Sequence, residues 1–349
     1  MRVFDFDPLD LVRYHGQALL WDRACRGALA VAGPTILGVA LASPELGLIA
    51  TLCALWAWMN DLGGELHDRL INMATSGDAI IIGGILAVIA GGSYGAELGV
   101  LFICSIVIGW VHNTSRGLEN AARCMGFSFV IAVSLDLTSW YLILPVIGGS
   151  AWAMLVAWVD NQLRRQYAVE TGASVRTGLH HIRGEHASDW RFGLRYAIAA
   201  ALGLGLAIHF GATHAAWVTI TTLAVMRPND SESVQLVLQR AFGTLVGVGI
   251  ALAIVSLSHN AWHLTFAAIA LAFLVSPGMI WQRWSGFAAI TAMALVLLDM
   301  ALLTQGGDRP LLSERIYDTG LGCAVALMTT WVIFPNRWKR AAAQGTKPR

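Results

Sequence analysis

Charge is scarce in this chain. Asp, Glu, Lys and Arg make up 13% of the 349 residues, where soluble domains carry about 25%. The net charge is only +1, which leaves no global attraction for nucleic acid. Cysteine is sparse too. Cys25, Cys53, Cys104, Cys124 and Cys323 lie in or beside apolar stretches with no C-x-x-C pair, which excludes a disulfide framework or zinc site. No phosphate-binding P-loop, G-x-S-x-G elbow or H-E-x-x-H motif occurs, so no cofactor, no metal and no enzymatic role is expected. The first 20 residues carry Asp5, Asp7 and Asp10 and lack an apolar run, which argues against a cleaved signal peptide.

What the chain has instead is apolar surface. Hydrophobic residues make up 56%, more than a soluble chain of this size can bury, so lipid is expected to be the solvent. Twelve apolar segments read as membrane spans. The first six are 26–42, 46–58, 78–92, 97–111, 122–135 and 140–159. The second six are 192–210, 214–225, 234–256, 262–277, 285–303 and 318–335. Several are shorter than the ~20 residues a crossing helix needs, so their flanks must complete the crossing or the span must tilt. Threading the loops alternately puts every Lys and Arg on one side except Arg309 and Arg315. Basic loops mark the cytoplasmic side, which places both termini there and predicts a multi-pass protein of a bacterial inner membrane.

The two sets of spans echo each other. Arg26 and Arg195 are 169 residues apart, as are Asn60-Asp61 and Asn229-Asp230. Gly149, Trp158 and Arg164 match Gly322, Trp331 and Arg337 at an offset of 173, and Asp136 matches Asp299 at 163. The expected fold is all-α, with about twelve transmembrane helices in two parallel six-helix repeats. The parts would be 1–159, a cytoplasmic linker 160–191, 192–335 and a cytoplasmic tail 336–349. An even number of spans per repeat makes the repeats parallel. The linker's His180, His181, Glu185 and His186 read as a solvated surface, not a metal site.

The richest stretch runs from span eight into span nine. Pro228 ends one helix, and Asn229, Asp230 and Ser231 supply capping oxygens for the next. Arg240, Thr244 and Gly247 then share a face, with Gly243 and Gly247 spaced for close helix approach. The last span repeats the device with Arg315, Thr319, Gly322 and Ala326. Arg240 is expected near the cytoplasmic end of its helix and Arg315 near the external end of its own.

This stretch resembles the fusaric acid resistance family, also called the aromatic acid exporter family. Its pattern is a W-x-x-[LIV]-T span, a polar turn with Pro, then Arg and G-T-L-x-G. Here those residues are Trp217, Thr219, Pro228, Arg240, Gly243, Thr244, Leu245 and Gly247, followed by Arg315, Asp318, Thr319 and Gly322. The resemblance covers about 214–335. In the first half Arg69 and Gly77 keep a loose echo and no G-T-L-x-G occurs. The resemblance implies efflux of aromatic or other organic carboxylic acids. It also implies a likeness to plant malate channels, each similar in scale to one half.

An anion path through lipid needs positive charge, and Arg holds a carboxylate by two parallel hydrogen bonds at any working pH. The candidates are Arg240 and Arg315 first, then Arg26, Arg195, Arg69 and Arg227. Asp299 and Asp136 are the intramembrane carboxylates that could couple transport to protons. Gly243, Thr244, Gly247, Thr319 and Gly322 are expected to serve helix packing. The leading expectation is a transporter exporting organic anions, driven by the proton gradient or the membrane potential. The alternatives are a passive anion channel, or a membrane enzyme or envelope assembly factor using Glu65, His67 and Asp68. The expected partners are a small organic anion, membrane lipid, and a second copy of the chain or a periplasmic adaptor.

Overall fold

The computed structural model describes residues 21–112, 114–135, 139–163, 174–183, 190–211, 215–302 and 311–333. Among them are thirteen α-helices and no strand. The first six are α1 (Trp21–Ala40), α2 (Pro44–Met59), α3 (Leu66–Ala90), α4 (Tyr94–Val111), α5 (Arg116–Ser134) and α6 (Ile143–Leu163). Then come α7 (Val175–Arg183), α8 (Trp190–His209), α9 (Ala215–Val225), α10 (Asp230–Leu257), α11 (Ala261–Trp281), α12 (Arg283–Leu302) and α13 (Leu311–Val332).

The helix ends follow local chemistry. Pro44 starts α2, where its missing N–H costs nothing. Gly91, at φ 64°, closes α3 in the left-handed conformation that glycine adopts without strain. The side chains of Ser115, Asn229 and Asn260 accept backbone N–H bonds at the starts of α5, α10 and α11.

Each of the twelve apolar segments contains or overlaps one helix. Seven stretches are long and apolar enough to cross a membrane: α3, α4, α6 with the short 3-10 turn before it, α8, α10, α11 and α12. The chain is therefore an all-helical membrane protein. The flanks lengthen several segments, as the span lengths required. Residues 78–90 of the segment 78–92 lie in a helix that starts at Leu66, and 234–256 in one that starts at Asp230. Two helices stay short. α2 has 16 residues and α9 has 11, and 11 residues rise only about 16 Å. α7 is a helix inside the expected linker. Its Val175 amide donates to Asn72 Oδ1 at 2.9 Å, and its Gly178 sits against Ser115 and Leu118, so it is docked on α3 and α5.

The packing pairs come in matched sets. α1 packs on α2, α6 and α11, while α8 packs on α9, α13 and α4. α3 packs on α5 and α6, while α10 packs on α12 and α13. α2 meets α6 as α9 meets α13. Glycines set the closest of these contacts. A Cβ on Gly149 would strike the Ala50 carbonyl in α2, and one on Gly322 would lie 2.5 Å from the Val218 carbonyl oxygen in α9.

Candidate functional site

The six candidate arginines fall into two groups. Arg26 and Arg195, each in the first helix of its set, bind an acid that follows the second helix, Asp61 on the turn after α2 and Asp230 at the start of α10. Arg26 Nε lies 3.3 Å from Asp61 Oδ2 and its Nη1 lies 2.6 Å from Asp160 Oδ2. Arg195 donates to Asp230 Oδ1 at 3.0 Å and to the carbonyls of Arg227 and Pro228 at 2.7 and 3.2 Å. Arg69, which has no solvent exposure, grips Asp61 with two parallel bonds of 2.7 and 2.8 Å. Burial pushes the Asp61 carboxyl up, but the hydrogen bonds and charge of Arg69, with Arg26 and Arg23, outweigh it and hold the carboxyl below its ordinary range. Arg227 donates to the Ala224 and Met226 carbonyls at 3.1 and 2.7 Å, and its amide is bound by Ser233 Oγ. These four arginines are tied to acids or carbonyls of the chain itself and brace the turns between helices.

Arg240 and Arg315 differ. Each is buried, at 6% and 3% exposure. Neither has an ion pair or hydrogen bond among the described residues, and Arg240 Nε and Arg315 Nη1 are fully buried without one. Each guanidinium lies over a ring instead. Arg240 is 5.1 Å from the Phe287 centroid and Arg315 is 3.8 Å from that of Trp217. The charges of Arg240 and Asp318 both reach Arg315.

Helix register brings these two arginines together, where the sequence reading put them toward opposite ends. α9 turns tightly into α10, so the two run in opposite directions. α13 runs alongside α9, with the Gly322 carbonyl accepting from Thr222 Oγ1 at 3.1 Å. Cys323 Sγ meets the Val237 carbonyl of α10 at 3.9 Å. From that level Arg240 is three residues onward and Arg315 eight residues back, on the same side. Their axial offset is about 8 Å.

The surroundings match the arginines. Thr221, Thr244, Thr291 and Thr319 have buried hydroxyls without a partner among the described residues. They come from α9, α10, α12 and α13. Gly243 and Gly247 let α12 close in, since a Cβ on either would lie 2.5 and 2.6 Å from the carbonyl oxygens of Trp284 and Ala288. Buried polar groups are costly unless satisfied, so this cluster offers donors to a polar guest. Trp217, Thr244, Thr319 and the glycines belong to the motifs read from sequence. Thr221 does too, since the W-x-x-[LIV]-T spacing from Trp217 ends on it and not on Thr219; Phe287 and Thr291 carry no such signal.

Asp299, near the end of α12, is half-buried, its Oδ2 has no hydrogen-bond partner among the described residues, and the charge of His259 reaches it. Asp136 lies outside the described residues. Among the described residues no cluster of His, Cys, Asp and Glu could hold a metal ion.

A family model described as fusaric acid resistance protein-like matches residues 196–329, which contain the whole Arg240–Arg315 cluster. The chain is also 27% identical over 151 residues to the inner membrane protein YccS of Escherichia coli strain K12. That match covers 42% of this chain and 20% of the relative, so it spans a fifth of that protein's length. No solved structure matches. The apolar helices make the chain a membrane protein, and its residues 196–329 are similar to the fusaric acid resistance protein-like family.

Proposed function

We propose that this chain exports organic anions, aromatic carboxylates among them, across a bacterial inner membrane, and that Arg240 and Arg315 receive the carboxylate. One observation carries this reading: two buried guanidiniums lie near each other with no ion pair or hydrogen bond among the described residues. An unpaired buried charge is strongly unfavourable. A carboxylate satisfies it with charge-assisted bonds, and the rings of Trp217 and Phe287 give a planar substrate a stacking surface. With Asp318 counted, the three side chains carry one net positive charge, which one carboxylate balances.

The architecture in this reading is twelve spans in two parallel six-helix repeats, with both termini cytoplasmic. The recurrence of Arg26–Asp61 as Arg195–Asp230 supports it, as do the matched helix pairings. The short helices α2 and α9 occupy corresponding places, and shortened spans at matching positions often mark a transporter's binding site. α9 contributes Trp217 and Thr221 to the cluster.

The test is uptake of benzoate and related acids into inside-out vesicles. Arg240→Ala and Arg315→Ala should each remove about 2–5 kcal/mol of anion binding and reduce uptake accordingly at unchanged protein level. Normal uptake by both variants would end this assignment. The half-buried Asp299 carboxyl favours proton coupling over a passive channel, so Asp299→Asn should make uptake insensitive to a protonophore. Uptake insensitive in the parent protein too would leave the channel.

A further inference from the structure

A cavity of about 330 Å³ lies between α2, α3, α5 and the start of α6. Its walls are almost wholly apolar, and Ile85, Val88, Ile89 and Ile143 on its rim are exposed at membrane depth. Its position is the matched counterpart of the Arg240–Arg315 cluster, and glycine contacts fix the correspondence. Gly83 packs on Met125 and Ser128, and Gly247 packs on Ala288 and Thr291. The offsets are 164 for α3 to α10 and 163 for α5 to α12. Gly149 on Ala50 and Gly322 on Val218 carry α6 to α13 at 173. The Arg–Asp pairs carry α2 to α9 at 169, one residue from the 168 between Ala50 and Val218.

On these offsets Arg315 stands where the cavity has Leu142, and Thr319 where it has Val146. Thr244 stands for Ile80, Thr221 for Leu52 and Thr291 for Ser128. All five of those first-half residues line the cavity. Arg240 corresponds to Ser76, whose hydroxyl is engaged by Asn60 Nδ2 at 2.8 Å. Arg69 is therefore not the counterpart of Arg240. The same place in the fold is cationic and rich in hydroxyls in one half, and stripped of charge in the other.

We infer that the first-half cavity is a second ligand site, selective for an uncharged apolar group, and that a phospholipid acyl chain from the bilayer occupies it. An anion would meet no cation there among the lining residues, only the neutral donors of Ser128, Ser139, the Cys53 thiol and the Trp56 and Trp140 indoles, whereas a hydrocarbon chain gains apolar contact on most sides. The exposed rim residues leave the cavity open to the lipid. This inference rests on the proposed function only in contrasting the two sites.

The test uses the full chain in vesicles doped with a phospholipid bearing a photoreactive acyl tail, with adducts mapped by mass spectrometry. Adducts are expected on the buried wall residues Ile80 and Ala132, as well as on outward residues such as Ile103. Gly84 lines the cavity, and a Cβ there meets open space, so Gly84→Leu should fill the cavity without disturbing the fold. It should abolish the Ile80 and Ala132 adducts and leave the Ile103 adduct unchanged. Persistence of the wall adducts in Gly84→Leu, or their absence from the parent protein, overturns the inference. Labelling by a photoreactive free fatty acid but not by the phospholipid overturns the bilayer as its source. Competition by benzoate overturns the separation of the two sites. Normal uptake by Arg240→Ala and Arg315→Ala would instead count against the proposed function and leave this labelling pattern standing.

Discussion

Asp61 carries more of the structure than any motif suggested. It sits on the turn after α2 and holds Arg69 with two bonds and Arg26 with an ion pair. Asp61→Asn leaves Arg69 and Arg26 underbalanced, and breaking a buried pair costs about 3–5 kcal/mol. The variant should melt well below the parent at pH 7. The folded carboxyl is held below its unfolded value of about 3.9. Its stabilisation is therefore complete above that pH and is lost only as pH falls through the folded value. Thermal melts in detergent at pH 7, 5 and 3 would read this. The gap between parent and variant should persist at pH 5 and narrow at pH 3, and a gap absent at pH 7 would refute it. Residue type alone could not sort the arginines. Arg26, Arg69 and Arg240 look alike in sequence, and only the reach of Asp61 and Asp160 across helices separates the first two from an arginine with no ion pair among the described residues.

Helix faces were more legible than helix partners. The spacing of Arg240, Thr244 and Gly247, and of Arg315, Thr319 and Gly322, marked one face on each of two helices. Which helix met each face was not written locally, because periodicity describes a single helix and packing involves pairs. α12 fills the face of α10 at Gly243 and Gly247, and α9 fills that of α13 at Gly322. The latter contact positions Arg315 on Trp217. A side chain at Gly322 must displace backbone, since its Cβ would lie 2.5 Å from the Val218 carbonyl oxygen. Gly322→Val should cost about 1–3 kcal/mol of stability and reduce anion uptake by moving Arg315 off its ring. Gly320→Ala is the control, because a Cβ there meets open space. Equal melting and uptake for the two variants would remove Gly322 from this role.

At the scale of the whole molecule, the twofold echo was visible as residues recurring at 163–173, but the way the two halves engage was not. The linker 160–191 marked where one set of spans ended and the next began, and nothing in the sequence said which helices of the two sets touch. The structure packs α1 of the first set on α11 of the second and α8 of the second on α4 of the first. Trp21 stacks on Phe273 at 5.9 Å, and His112 lies 4.9 Å from Phe192. Such contacts join the two sets of helices independently of the linker. A protease site inserted between residues 164 and 173, cut after purification in mild detergent, should therefore leave the two fragments eluting together with anion binding retained. A pair held only by its tether would separate on the column. Dissociation of the cut protein at neutral pH and room temperature would show that these contacts contribute little, and that the linker is what keeps the two halves together.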